Sequence, residues 1–169
     1  ILDENGVFII ENAYAIDTFK NGEFDQIYHE HMFYFSALNI TALMDKFDFE
    51  LIDFEHAPVH GGSGVFICGK KGKHEIQRSV KDILEKEQEA FGDKKIFDNF
   101  KEKIEVTKKK TLKLIDNELN SNRIIGAYGA PAKAFTVFSY YGLSDKNISF
   151  CVDTTPTKIG KIFPEFNIP

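Results

Sequence analysis

The final part of the chain changes from helical to strand character after Arg123. A short apolar run, Ile124-Ile125, is followed by a glycine-containing turn at Gly126–Ala130, a helical pattern over Pro131–Tyr140 and a second apolar run at Ile148–Val152. This order of strand, turn, helix and strand is typical of a βαβ unit, in which the two strands are parallel. It predicts an α/β fold for this part of the chain.

The first seventy residues predict further strands. Val7–Glu11 follows a turn signal and is mostly apolar, which favours a strand buried on both faces. Phe49–Glu55 and Gly64–Gly69 are two more strand patterns, joined by the loop Pro58–Ser63, so we expect an antiparallel pair. Between these regions, apolar residues at three- and four-residue steps predict a helix that Ser36 can cap.

Residues 74–119 are rich in charge and poor in glycine. Apolar residues space two stripes, which Gly92-Asp93 separates. The pattern predicts two helices, the second one long, with Lys and Glu on their solvated faces.

The overall composition excludes some classes of protein. A net charge of −5 argues against a general nucleic-acid-binding protein, which usually carries a basic surface. No apolar run approaches the length of about 18 residues that a membrane span needs. Cys68 and Cys151 lie far apart in apolar runs, so we interpret them as small buried side chains of a reduced, cytoplasmic protein, with a disulfide less favoured.

The run Tyr28-His29-Glu30-His31 places two imidazoles, a carboxylate and a phenol within four residues. Such groups suit removal of a proton next to a carbonyl, with the phenol as a donor to the developing oxyanion. A purely structural loop of hydrogen-bonded aromatic side chains is the alternative. A metal site at His29 and His31 is a further alternative, although no second cluster of ligands shows the usual spacing.

Two glycine-rich turns are candidate ligand loops. His60-Gly61-Gly62-Ser63 lies between the two predicted antiparallel strands and could bind a phosphate or a sugar hydroxyl, or serve only as a turn. Gly126–Lys133 lies where a strand passes into a helix, and helix N-termini attract anions. The second turn matches only half of a dinucleotide-binding fingerprint.

Taken in order, these motifs resemble the S-adenosylmethionine-dependent sugar C-methyltransferase family, whose members act on nucleotide-linked 4-keto-deoxysugars. The likeness covers nearly the whole chain. It is carried by Asn5–Tyr14, Glu23–His31, Tyr34-Phe35-Ser36, His60–Ser63, Gly129–Lys133 and Val152-Asp153.

The resemblance implies a three-part parent protein with an N-terminal zinc-binding domain, a central methyltransferase sheet and a C-terminal Rossmann-like domain. We expect residues 1–70 to be the later strands of the methyltransferase domain, 71–122 a helical connection and 123–169 part of the second Rossmann-like unit. On this expectation the main S-adenosylmethionine motif and the zinc ligands lie outside the chain. A chain without them should be inactive alone and should not bind the cofactor.

The resemblance also implies roles for individual residues. His31 would be the base, Glu30 would orient it, and Tyr28 would hold the enolate or keto oxygen, whereas His29 is expected to be structural. No metal site is predicted within the chain. The residues expected at the cofactor are Glu11, Asn12 and Tyr14, and those expected at the sugar substrate are His60, Gly61, Gly62, Ser63 and Lys133.

The chain departs from the family pattern at three places, one of which is Pro164-Glu165-Phe166 in place of a Pro-Gly-Thr-like run. Asn12-Ala13 replaces the usual Val-Pro, and Gly64-Val65 replaces a Leu-Arg pair whose arginine is a natural partner for phosphate. The rival hypothesis is a non-catalytic module that binds a nucleotide or nucleotide-sugar through Gly126–Lys133.

Overall fold

The computed structural model describes residues 2–169, and their contacts group into two compact units. Unit 1 runs to Glu23 and resumes over Phe33–Lys101, whereas unit 2 consists of Phe24–Met32 and Glu102–Pro169. The elements are β1 (Val7–Ala13), α1 (Ala15–Asn21), a 3-10 helix (Phe24–Gln26), α2 (Ala37–Asp45), β2 (Phe49–Ala57), β3 (Ser63–Lys70), α3 (Arg78–Gly92), α4 (Lys95–Asn120), β4 (Gly126–Tyr128), α5 (Ala132–Tyr141) and β5 (Phe150–Val152).

Unit 1 is built on an antiparallel sheet in the order β1-β3-β2. The predicted hairpin is confirmed, because β2 and β3 pair from Phe49 opposite Lys70 to Ala57 opposite Ser63. The last pair of β1 with β3 is Ala13 opposite Ser63. The carboxyl end of β1 therefore lies beside the loop that joins β2 to β3.

The prediction that β1 is buried on both faces is wrong. Among the described residues, β1 has a neighbour only on its β3 side. Phe8 and Ile10 pack against the core of unit 1, whereas the alternate residues Val7 and Ile9 are 43% and 63% exposed. Because side chains alternate between the two faces of a strand, all residues of an apolar run are buried only when other elements cover both faces.

Helix α2 begins where the sequence predicted a cap. The Ser36 hydroxyl accepts a hydrogen bond from the Asn39 backbone, and the Asn39 side chain accepts one from the Ser36 backbone, which completes a capping box. Helices α2 and α3 then bury one face of the sheet. The buried residues of this core are Tyr14, Ile16, Ala37, Ile40, Met44, Leu51, Phe54, Phe66, Cys68, Val80 and Ile83.

Unit 2 contains the predicted βαβ unit, since β4 and β5 pair in parallel with α5 between them in sequence. The predicted bounds are wrong, however, because β4 starts at Gly126 rather than Ile124 and β5 starts at Phe150 rather than Ile148. A side chain at position 126 would meet the ring of Phe150, so glycine permits the close pairing here. The core of unit 2 is formed by Ile115, Phe138, Tyr141, Leu143, Ile148, Phe166 and Ile168.

The two predicted helices of the charged region are confirmed as α3, which ends at Gly92, and α4, which begins at Lys95, so the break comes directly after Gly92. Residues of α4 up to Lys101 belong to unit 1, and those from Glu102 belong to unit 2. Over residues 2–169, no helix combines the length and apolar character that crossing a membrane requires.

Both cysteines are free thiols. Cys68 is buried as predicted, and burial raises its pKa to about 11. Cys151 is only half-buried, because it lies on the two-stranded sheet of unit 2, where little covers β5.

Candidate functional site

The Tyr28–His31 turn belongs to unit 2. It follows the 3-10 helix, and the His31 backbone N–H donates to the Tyr28 carbonyl at 2.9 Å, which folds the two side chains together. The Tyr28 hydroxyl and His31 Nε2 lie 2.9 Å apart, and the ring centroids are 4.3 Å apart. Both residues are half-buried, so this hydrogen-bonded phenol and imidazole remain within reach of solvent.

Glu30 lies elsewhere than the sequence predicted. Its carboxylate faces His29 rather than His31, with Oε1 at 3.9 Å from His29 Nε2. The two side chains are 64% and 87% exposed, so the pair is weakly held in water. Within residues 2–169, His31 is hydrogen-bonded to Tyr28 and not to Glu30, so the expected orienting role of Glu30 is not supported by a contact with His31.

Helix α5 holds the segment that leads into this turn. The Thr136 hydroxyl donates to the Ile27 carbonyl at 2.9 Å, and Lys133 Nζ lies 3.6 Å from an Asp25 carboxylate oxygen. The Phe24 ring stacks on Tyr141 at 5.5 Å. The structure therefore brings Lys133, predicted to bind substrate, to the segment that carries the predicted base, and gives its charge a partner there.

The glycine hairpin loop, residues 58–62, joins β2 to β3. The Gly62 backbone N–H donates to the Val59 carbonyl at 2.9 Å, across His60 with φ 52° and Gly61 with φ 92°. Positive φ at both central positions is the signature of a type I′ turn, which suits the twist of a hairpin. This local geometry explains the glycines without any ligand.

Carboxylates of unit 1 lie against this loop. A side chain at Gly61 would meet the carboxylate of Glu23, and one at Gly62 would meet that of Asp17. Asp17 Oδ2 also lies 2.6 Å from His56 Nε2. Because negative charge already occupies this side of the loop, it is poorly suited to phosphate. Carboxylate, imidazole and the exposed His60 suit hydroxyl groups instead.

The end of β1 lies next to the same loop. The Tyr14 backbone N–H donates to the Gly62 carbonyl at 3.0 Å, which brings together two groups of residues predicted to bind ligands. Glu11 and Asn12 are exposed. Tyr14 is 1% exposed, and its hydroxyl donates to Glu87, so its side chain serves the core rather than a cofactor surface.

Burial raises the pKa of Tyr14 well above its ordinary value, and the neighbouring Glu87 carboxylate adds to the effect. The phenol therefore stays protonated at neutral pH and acts as a hydrogen-bond donor.

The turn that follows β4 is organised by Asp153 at the end of β5. One carboxylate oxygen accepts the Ala130 backbone N–H at 2.7 Å, and the other accepts the Thr155 backbone N–H at 2.8 Å. Hydrogen bonds from the Thr155 hydroxyl and these two backbone groups hold the pKa of Asp153 well below its usual range. Lys158 Nζ donates to the Ala130 carbonyl at 2.8 Å. The protein's own carboxylate thus occupies the place where a bound anion was predicted.

A cavity of about 590 Å³ opens beside this turn. It lies at the carboxyl ends of the parallel strands, and Asp153 and Lys158 line it together with apolar residues that include Ile159, Ile162 and Phe163. Its lining includes Ala130 of the candidate ligand loop Gly126–Lys133, but none of the residues expected at the sugar, the cofactor or the base.

The described residues offer little to a metal ion. Within residues 2–169, no group of three or more His, Cys, Asp or Glu side chains is placed to hold one. The rings of His29 and His31 face Glu30 and Tyr28, respectively.

Sequence reasoning missed the residues that surround the two glycine turns. Asp17 and His56 are 39 positions apart, and Ala130 and Asp153 are 23 apart, so no local spacing indicates either contact. Only the Asp that ends the last predicted strand gave a signal, because the carboxyl end of a parallel strand lies beside the turn that follows its neighbour.

Comparison with known proteins gives this geometry a context. Residues 58–169 match the family model described as the C-methyltransferase C-terminal domain. C-methyltransferase NovU of Streptomyces niveus is 32% identical over 171 residues, which cover 100% of this chain and 41% of that protein. The chain thus spans about two fifths of the length of this curated relative. The chain belongs to the C-methyltransferase family, because residues 58–169 match the family model and the whole of this chain aligns with this relative.

Proposed function

We propose that the protein acts as an S-adenosylmethionine-dependent C-methyltransferase on a carbon beside the keto group of a nucleotide-linked deoxysugar. Membership of the family supports the reaction class. The single observation that carries the proposal is the half-buried pair of Tyr28 and His31, whose Oη and Nε2 atoms lie 2.9 Å apart. Methylation at carbon needs a base, and this pair supplies both a base and an oxyanion donor.

The proton chemistry follows from the pair. With a keto sugar bound, the Tyr28 hydroxyl turns from Nε2 to the keto oxygen, and the lone pair of His31 Nε2 becomes free. The imidazole then takes the proton from the adjacent carbon, the C–H electron pair becomes the enolate, and Tyr28 donates to the resulting oxyanion. His31 returns its proton to solvent at the end of the cycle.

When bound, S-adenosylmethionine would supply an electrophilic methyl group for the enolate carbon, and the electron pair of the broken C–S bond would leave on sulfur. Of the residues expected at this cofactor, Glu11 and Asn12 fit, because both are exposed polar side chains at the end of β1. Tyr14 does not fit, because its side chain is buried and its hydroxyl is bound to Glu87.

The substrate side of the proposal rests on hydroxyl recognition. His60 is exposed on the glycine hairpin loop, and Asp17 and Glu23 lie against that loop. These groups suit sugar hydroxyls, whereas their negative charge opposes a diphosphate. We therefore assign the sugar ring, and not the nucleotide phosphates, to this loop.

Turnover of the whole protein tests the proposal. We expect His31→Ala to lower kcat by about a hundredfold or more, because the base is lost. His29→Ala is the matched control, since its ring is 87% exposed and lies next to Glu30, and turnover should stay near that of the unchanged protein. Unchanged turnover in His31→Ala would contradict the proposal.

The rival nucleotide-binding module makes the opposite prediction, in which Lys133→Ala abolishes ligand binding and His31→Ala does nothing. The contacts of unit 2 favour it less, because Lys133 has Asp25 as a partner and the Ala130 N–H is taken by Asp153.

A further inference from the structure

Glu87 is a fully buried carboxyl group, with 0% of its surface exposed. It lies in α3 on the same helix face as the buried apolar residues Val80 and Ile83. An apolar residue at this position would continue the stripe at no electrostatic cost, whereas burying a carboxylate is costly unless its oxygens are fully hydrogen-bonded. Simple packing of α3 therefore does not account for this residue.

The Glu87 carboxylate receives three hydrogen bonds. Oε1 accepts from the Tyr14 hydroxyl at 2.8 Å and from the Ala37 backbone N–H at 2.7 Å, and Oε2 accepts from the Leu38 backbone N–H at 2.8 Å. All three partners are donors, so the group acts purely as an acceptor, which suits the ionised form.

Two of these bonds complete the first turn of α2. A helix leaves four backbone N–H groups without partners inside the helix at its N-terminus. Here the Ser36 N–H donates to the Asn39 side chain and the Asn39 N–H donates to the Ser36 hydroxyl, whereas the N–H groups of Ala37 and Leu38 depend on Glu87. The negative charge also lies at the positive end of the helix dipole.

The third bond connects this helix start to the predicted ligand side of unit 1. Tyr14 binds Glu87 through its hydroxyl, and its backbone N–H donates to the Gly62 carbonyl of the glycine hairpin loop at 3.0 Å. The next residue, Ala15, donates to the Phe35 carbonyl at 2.9 Å. Ala15 and Phe35, which flank residues 16–34 in sequence, are thus held next to each other, and Tyr14 beside them is bound to the Glu87 carboxylate.

We propose that Glu87 is a positioning residue for the ligand site of unit 1, holding the end of β1, the start of α2 and the glycine hairpin loop in one arrangement. The effect of this positioning on turnover rests on the proposed methyltransferase activity, whereas its effect on the backbone of unit 1 does not. Among residues 2–169, the hydrogen bonds of Glu87 reach Tyr14, Ala37 and Leu38, so it acts on the ligand site through the backbone that these residues fix.

Hydrogen exchange in the whole protein tests the effect on the backbone of unit 1. Glu87→Gln keeps the shape of the side chain but replaces one of its two acceptor oxygens with an N–H₂ group. The N–H groups of Ala37 and Leu38 can then no longer each have an oxygen of their own. We expect amide exchange to rise about tenfold or more at Ala37 and Leu38, and also at Tyr14 and Ala15. Glu89→Gln, an exposed residue of the same helix, is the matched control and should change none of these rates. Faster exchange at Ala37 and Leu38 alone would overturn the proposal, because Glu87 would then be only a helix cap.

Tyr14→Phe keeps the proposal testable if Glu87→Gln fails to fold. It removes the phenol and leaves the carboxylate on the two helix donors. Exchange should rise at Tyr14 and Ala15 and stay slow at Ala37 and Leu38. Unchanged exchange at position 14 and at Ala15 would overturn the connection between the helix start and the loop.

Turnover measurements test the effect on activity. Because the region that Glu87 is proposed to position binds the sugar and the cofactor, Glu87→Gln should lower kcat/KM by about tenfold, mainly through a higher KM, with Glu89→Gln unaffected. An unchanged kcat/KM, when His31→Ala is inactive, would overturn the positioning role while sparing the proposed function. Activity in His31→Ala would instead contradict the proposed function, and the hydrogen-exchange result would still decide whether Glu87 holds the backbone of unit 1.

Discussion

The glycine hairpin loop of unit 1 and the turn after β4 in unit 2 are both small-residue turns that end beside polar groups, yet carboxylates reach them differently. Asp17 and Glu23 lie against the glycine backbone of the loop through their side chains alone. Asp153 instead accepts the Ala130 backbone N–H directly and is bound by Thr155 as well. In both turns the protein supplies its own anion, so glycine beside polar residues is weak evidence for a phosphate site.

The largest effect should appear on adding a methyl group to the glycine hairpin loop, where carboxylates lie against the glycine backbone. Gly62 has φ 129°, and a side chain there would meet Asp17. We expect Gly62→Ala to lower the free energy of unfolding by roughly 2 to 4 kcal/mol, measured by urea titration. Gly72→Ala, at φ 74° with no atom within 4 Å of an added side chain, should cost only about 1 kcal/mol. Equal losses would show that the carboxylate does not crowd the loop.

The Asp153 contacts should make the stability of unit 2 depend on pH. The pKa of this carboxyl is lowered in the folded protein, so its contribution is present above the unfolded value of about 4 and is lost as the pH falls below it. Asp153→Asn should lower the melting temperature at pH 7, and the difference from the unchanged protein should shrink below pH 4. Asp145→Asn, at an exposed carboxylate, is the control. A difference that persists at low pH would contradict this reading.

A smaller effect is expected at the pair of Asp17 and His56, which lie 2.6 Å apart but are 22% and 47% exposed. Water and salt screen such a pair, so a double-mutant cycle with Asp17→Asn and His56→Gln should give about 1 kcal/mol or less of coupling. The coupling should fall when salt is raised. A larger value that does not respond to salt would mean that the pair is effectively buried.

The smallest expected effect is none at all. Because carboxylates already lie at both turns, millimolar pyrophosphate should leave the melting temperature unchanged beyond its ionic-strength effect, measured against a matched sulfate control. A specific rise would show that one of the turns binds phosphate after all, and would favour the nucleotide-binding module.

Local patterns predicted much of this fold. The hairpin of β2 and β3, the cap of α2 at Ser36 and the break at Gly92 depend on neighbouring residues, and each is where the sequence placed it. The exposure of Ile9 depends on what covers the strand, which an apolar run does not reveal.

The site was predicted less completely for the same reason. The turn that joins Tyr28 to His31 is local, whereas the contact of Asp17 with His56 spans 39 positions. Glu87 did leave a signal, because it is an acidic residue on the apolar stripe of α3. An acidic residue in such a stripe predicts a buried acceptor, but its partners 49 to 73 positions away follow only from the tertiary structure.

The most direct test of the central claim, that His31 removes a proton from carbon, is deuterium incorporation from D₂O into the carbon beside the keto group of the sugar, followed by NMR. The account predicts incorporation by the whole protein and by His29→Ala, and its loss in His31→Ala. Incorporation at an undiminished rate in His31→Ala would contradict it.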